Sequence, residues 1–207
     1  MKVLTSIVAV IVISATSYGQ RSDSLSENEM QGIVYMREEE KLARDIYDSL
    51  YAKWQVNPFG NIRKNEQIHM NRMKALIVSY KLADPVTDGN EKPGIFLNAS
   101  LQKYYSELIH SGSQSLNEAL KVGAMIEELD ISDLNRYQKS TVSKPVSETY
   151  AYLKMASENH LRAFVRRLKA NGINYLPIIL TTREFEDIIN TDKEEQNKCR
   201  EGKYCEG

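Results

Sequence analysis

Two cysteines, no excess of either charge and, past the amino-terminal segment, no long apolar run: these shortages narrow what the chain can be. No pair of Cys-x-x-Cys knuckles occurs, which excludes a rubredoxin-type iron centre. Cys199 and Cys205 lie close together in a polar, charged tail. In an exported chain they read as a small disulfide loop, Cys199–Cys205, and without a neighbouring histidine or further cysteine they do not read as a metal site. With 27 basic and 28 acidic residues the formal net charge is -1. That balance lacks the concentrated positive face that nucleic acid or an anionic membrane requires. Arg162, Arg166, Arg167 and Lys169 do cluster, as a solvated helix face.

The one apolar run is amino-terminal: Lys2 supplies a basic start, Ile7 to Ile13 are apolar, and Ser17-Tyr18-Gly19 provides small residues. The run is too short to span a bilayer and reads as a signal peptide, residues 1–19, cleaved after Gly19; a retained anchor is the alternative. The expectation is an exported protein, periplasmic or extracellular, with no stable membrane insertion after cleavage. The rest of the chain is long enough for one domain with a substantial core.

Alternating strand patterns are scarce as well, and helical periodicity dominates. A first long helix is expected from about Ser24, with Ser24-Leu25-Ser26-Glu27 as a capping box, to about Val56; its inward line is Ile33, Met36, Glu40, Ala43, Tyr47, Leu50 and Trp54. A second runs from about Asn61 to Leu82 with the line Ile62, Glu66, His69, Met73, Leu76 and Tyr80. Turn signals in Asp88-Gly89-Asn90 and Lys92-Pro93-Gly94 make residues 83–97 a connection, followed by a short helix from about Asn98 to His110. The third long helix opens at the capping box Ser115-Leu116-Asn117-Glu118 and reaches about Tyr137; the fourth starts at Ser143 with Pro145 in its first turn and closes at Asn171-Gly172. A short helix near Thr182 to Asn190 and a polar tail complete residues 181–207. The predicted fold is all-α: four long helices over residues 24–180, in two pairs joined by a long crossover that holds a short helix.

Each long helix carries ionisable residues on its inward line: Glu40; Glu66 and His69; Glu127 and Asp130; His160. Glu66 and His69 stand three apart, so on a helix they point the same way and can share one ion. Unpaired carboxylates in a bundle core are costly, and four together would repel and take up protons unless cations neutralise them. Two divalent metals answer that need, with four carboxylates and two imidazoles as ligands; this donor set suits iron or manganese, whereas a structural zinc site favours cysteine or more histidine. Within the acidic run Glu38-Glu39-Glu40 the helix face selects Glu40, with Glu39 as its substitute. Glu128 should point about a quarter-turn away from Glu127, as a solvated or salt-bridged group, and His110 sits at a helix end where capping suits it.

These residues resemble the ferritin-like di-iron proteins, especially the rubrerythrin branch. Glu40-Lys41-Leu42-Ala43-Arg44-Asp45-Ile46-Tyr47 resembles the rubrerythrin first helix, Glu66-Gln67-Ile68-His69 the Glu-x-x-His of the second, and Glu127-Glu128-Leu129-Asp130 the paired acids of the third, with Asp in place of the second Glu. Glu38 to Asp45, Ile126 to Ile131 and Asn159 to Phe164 are similar to a bacterial and archaeal family of uncharacterised ferritin-like proteins, a domain of unknown function. The resemblance covers roughly residues 27 to 180. It implies a ferritin-like four-helix bundle, two iron ions with manganese or zinc as alternatives, dioxygen or peroxide as co-substrate, and ferroxidase or peroxidase-like chemistry. Tyr47, on the line of Glu40, is the candidate catalytic side chain, able to hydrogen-bond a ligand or donate an electron. The fourth helix departs from the pattern, because Ser157-Glu158-Asn159-His160 has Ser where a second Glu-x-x-His would have Glu. Glu158 lies off that line; Asp130 is expected to restore the missing carboxylate. Ser157 also favours the competing reading, a non-enzymatic metal-binding or interaction module, and association of copies stays open.

Overall fold

The computed structural model describes residues 25–87 and 89–200. The expected signal peptide and the expected Cys199–Cys205 pairing fall outside the described residues. Among the described residues six helices follow in order: α1 (Glu27–Trp54), α2 (Phe59–Ser79), α3 (Ala99–Gly112), α4 (Leu116–Gln138), α5 (Lys144–Ala170) and α6 (Thr182–Arg200). Among the described residues there is no strand, and the chain is an all-helical bundle. No described helix is long and apolar enough to cross a membrane.

Local chemistry sets the helix starts. The cap of α1 is Ser26, two residues later than Ser24: Ser26 Oγ accepts from Glu29 N at 3.3 Å, and Glu29 Oε2 accepts from Ser26 N at 2.9 Å. The other Glu29 oxygen takes the backbone N–H groups of Val142 and Ser143, each at 2.8 Å, so one carboxylate ties the starts of α1 and α5 together. Burial would raise the Glu29 pKa, but these backbone donors outweigh it and hold the group down at about 2. At α4, Ser115 Oγ accepts from Glu118 N, while Glu118 turns to Lys121 and leaves the box half made. At α5, Ser143 is the cap residue by position, yet its hydroxyl meets Tyr80 Oη at 2.8 Å. α6 continues past the expected Asn190 to Arg200.

α1 packs chiefly on α2 and α4 on α5, with α3 in the crossover lying against α1 and α4. Two hydrophobic cores form. One holds Leu42, Ile46, Leu50, Phe59, Ile62, Leu120, Phe164 and Leu168; the other holds Ile33, Met36, Met73, Ile77, Leu134, Val146 and Leu153. α1 and α5 run from the second core to the first, and α2 and α4 from the first to the second, so each pair is antiparallel and the crossover returns along the bundle. Between the cores every long helix places polar residues at the same level: Glu39 and Glu40, Glu66 and His69, Glu127 and Asp130, Ser157 and His160, all buried.

Candidate metal centre

Glu66 stands at the middle of this polar layer. Its Oε2 lies 2.7 Å from His69 Nδ1, and its Oε1 lies 3.0 Å from His160 Nδ1. His69 Nδ1 is also 3.2 Å from Glu40 Oε2, and His160 Nδ1 is 3.5 Å from Glu127 Oε2. The two imidazole rings stack with centroids 5.6 Å apart. Two triads result, Glu40–Glu66–His69 and Glu66–Glu127–His160, each with ligand atoms within 4.8 Å of one another and with Glu66 common to both.

Helix geometry explains the convergence. Glu66 and His69 are three residues apart on α2 and share a face, as do Glu127 and Asp130 on α4 and Ser157 and His160 on α5. Glu40 reaches the same level from α1. Tyr47 comes from two turns further along α1, and its hydroxyl donates to Glu127 Oε1 at 2.6 Å and lies 3.2 Å from the Gly123 carbonyl. Its ring packs against Phe59 and Phe164, whose own centroids are 5.3 Å apart. This apolar floor closes the site toward the first core.

The structure brings Asp130 into the layer but into neither triad. Ser157 Oγ donates to Asp130 Oδ2 and lies 3.0 Å from the Leu153 carbonyl, while Asp130 Oδ1 has no partner. Glu40 Oε1, Glu66 Oε1 and His160 Nδ1 are also buried without a hydrogen bond, and so are both oxygens of Glu39. Glu66 Oε1 and His160 Nδ1 are near enough to bond and are not aligned to do so. Both atoms can point instead at a third group.

Protons and ion pairs show how the layer carries its charge without metal. Burial pushes Glu40 up, His69 beside it pulls it down, Glu66 raises it again, and the result is about 7. Burial opposes a charged His69, yet Glu40 and Glu66 outweigh it and push the ring up to about 12. His160 is treated likewise by burial and then by Glu127 and Glu66, and reaches about 10. Glu66 is the strong acid of the group, held down by the two histidines against its burial. Asp130 and Glu39 are held well above the carboxylate range, first by burial and then by neighbouring carboxylates.

Several buried or site-facing side chains carry no signature in the sequence. Asn65, exposed on α2, places its side-chain amide 3.2 Å from His160 Nε2. Glu128 is buried, where a solvated or salt-bridged group was expected: its carboxylate accepts from Tyr175 Oη at 2.6 Å and from the backbone N–H groups of Ile178, Ile179 and Leu180. Glu38 accepts from the N–H groups of Leu97 and Asn98 ahead of α3. Such distant backbone donors leave no spacing rule for a reader to find. Glu39 was signalled only by its place beside Glu40.

A known protein resembles this chain in both sequence and structure. The chain is 44% identical over 170 residues to the uncharacterized protein MJ0754 of Methanocaldococcus jannaschii, a span of 82% of this chain and 91% of that one. It superposes on the crystal structure of the hypothetical protein MJ0754 with a TM-score of 0.78 and 44% identity, covering 81% of this chain and 94% of the other. Residues 29–192, which include both triads, match an uncharacterized protein domain, DUF2202, and the chain belongs to that family.

Proposed function

We propose that this protein is a ferritin-like dinuclear metal protein that holds two iron ions and performs ferroxidase or peroxidase-like redox chemistry outside the cytoplasm. Glu40, Glu66 and His69 would hold one ion and Glu66, Glu127 and His160 the other, with Asp130 as a further carboxylate beside them. The observation that carries the reading is the set of orphaned buried atoms, Glu40 Oε1, Glu66 Oε1, Asp130 Oδ1 and His160 Nδ1, gathered in one layer. Buried polar atoms are normally satisfied, and these are ligand atoms of the types that iron and manganese take. Lys41 and Arg37, buried on the same helix, do not neutralise the layer: Lys41 Nζ is bound to Asp45 at 2.5 Å, and Arg37 pairs with Asp84 at 3.1 Å.

Iron bound there would supply electrons to dioxygen or peroxide. The protein's own part is positional. Tyr47 holds Glu127 through its hydroxyl, Ser157 holds Asp130, and Phe59 and Phe164 keep water out from one side. Electrons would come from Fe(II) itself or an outside reductant, since no Cys-x-x-Cys pair is available for a relay centre. The test is purification from the exported fraction, metal analysis and anaerobic Fe(II) loading. About two irons per chain, with oxidation by peroxide faster than in Glu66→Ala, is the expected result; no stoichiometric metal would refute it.

A second reading keeps the metal and drops turnover. It draws on Ser157, which leaves α5 with His160 alone in the triads and engages Asp130 in a hydrogen bond. Stoichiometric metal without oxidation of Fe(II) by dioxygen or peroxide would select it.

A further inference from the structure

The two triads differ at the outer edge of their histidines. The His69 ring meets Tyr152 edge-on at 6.1 Å, and the Arg72 guanidinium lies 3.7 Å from the centre of that Tyr152 ring. The His160 ring instead turns Nδ1 toward Glu66 and Glu127 and Nε2 toward the side-chain amide of Asn65, 3.2 Å away. Asn65 is exposed and belongs to α2, whereas His160 is on α5. These two helices touch less than any other neighbouring pair of the four long ones, so this contact bridges the most open seam of the bundle.

Chemistry decides how the amide must sit. An ion in the Glu66–Glu127–His160 triad takes Nδ1, because that nitrogen faces the carboxylates. A ring ligating through Nδ1 carries its remaining proton on Nε2, which then needs an acceptor. A half-turn of the Asn65 carboxamide exchanges its oxygen and nitrogen with little change in shape, so the oxygen can be presented to Nε2–H. Resting on the dinuclear reading above, we propose that Asn65 is a positioning residue for the second metal position: its amide oxygen accepts from His160 Nε2–H, fixes the ring tautomer and keeps Nδ1 free as the ligand atom. The two metal positions are therefore unequal. The one at His160 depends on a side chain that reaches solvent, and the one at His69 does not.

The experiment titrates Zn(II), as a redox-silent probe, into the metal-free full chain against a chromophoric chelator, for the native protein, Asn65→Leu, Asn65→Asp and His69→Ala. Asn65→Leu should weaken one of two equivalents by about 10- to 100-fold and leave the other unchanged, the range typical for outer partners of ligating histidines. Asn65→Asp, which keeps the acceptor, should restore it. In protein labelled with 15N-histidine, the zinc-loaded native form should show His160 with its proton on Nε2, and Asn65→Leu should speed exchange of that proton. The proposal is overturned if Asn65→Leu binds both equivalents as the native protein does, if Asn65→Asp fails to restore the weak one, or if the equivalent weakened is the one that His69→Ala removes. A native protein that binds no zinc would refute the dinuclear reading, and this proposal with it. Two native equivalents untouched by Asn65→Leu would refute this proposal alone.

Discussion

Replacing Glu40 by Gln should flatten the pH dependence of stability of the metal-free protein between pH 4.5 and 7. Glu40 is buried in the polar layer; burial raises its pKa most, His69 offsets part of that, and Glu66 adds to it, leaving the folded value near 7 against 4.5 for the free side chain. A carboxyl whose folded pKa lies above its unfolded one contributes stability that is fully present below pH 4.5 and is lost as pH rises through 7. One pKa unit corresponds to about 1.4 kcal/mol, so Glu40 accounts for a loss of about 3 kcal/mol across this window. His69 and His160 do not confuse the lower part of it. Their folded values of about 12 and 10 lie above 6.5, so their contribution is whole below pH 6.5 and declines only above it. Urea unfolding in the presence of a chelator, at half-unit steps from pH 4.5 to 7.5, measures the effect as the difference between native and Glu40→Gln profiles. Parallel profiles would refute the assignment of this titration to Glu40. Added metal should reverse the trend, because ligands bind it deprotonated and the stabilisation then grows with pH.

Tyr47→Phe should cost about 1–3 kcal/mol in urea unfolding of the metal-free protein, since the ring keeps its packing while Glu127 Oε1 loses its 2.6 Å donor. Gly123→Ala should cost about 1–3 kcal/mol as well, because its new methyl group would overlap the Phe164 ring; Phe164→Leu in the same chain should recover part of the loss. Glu128→Ala strands the N–H groups of Ile178, Ile179 and Leu180, and should lower stability by about 3 kcal/mol and open residues 175–180 to limited proteolysis, measured by the rate of cleavage.

Much of this architecture was readable from apolar spacing. Ile33, Met36, Tyr47 and Leu50 recur at helical intervals, and so do Val146, Tyr150, Leu153 and Phe164, so the inward faces of α1 and α5 declare themselves. The buried acids and histidines were legible for the same reason: Glu40, Glu66, His69, Glu127, Asp130 and His160 interrupt apolar lines and do not break their period, and all six are buried in one layer. Membership of a family of unknown function likewise agrees with the resemblance carried by Glu38 to Asp45, Ile126 to Ile131 and Asn159 to Phe164. Periodicity reports one residue's side of one helix, however, and says little about what crosses between helices. Glu38 and Glu128 are buried although they lie off the predicted lines, because irregular segments cover them: Leu97 and Asn98 ahead of α3 lie over Glu38, and residues 175–180 after α5 lie over Glu128; Glu39 is buried as well. Asn65 is exposed, and only the position of His160 on another helix gives it a role. The shift of the α1 cap from Ser24 to Ser26 has a similar cause, since Glu29 serves Ser26 on one side and Val142 and Ser143 on the other.

The layer between the two hydrophobic cores also acts as a register key. Leucine against leucine tolerates sliding, and a bundle packed only by such contacts could let one helix shift along its neighbour by a turn, about 5.4 Å, at modest loss. Here a slip of α2 would take Glu66 away from His160 and His69 away from Glu40, and would set a neighbouring helix's carboxylate against Met73 or Ile62, stranding charge on each side of the shifted helix. All four long helices contribute to the same level, so each is indexed against the other three. The side chains best suited to gripping an ion are thereby the ones that allow the bundle a single alignment.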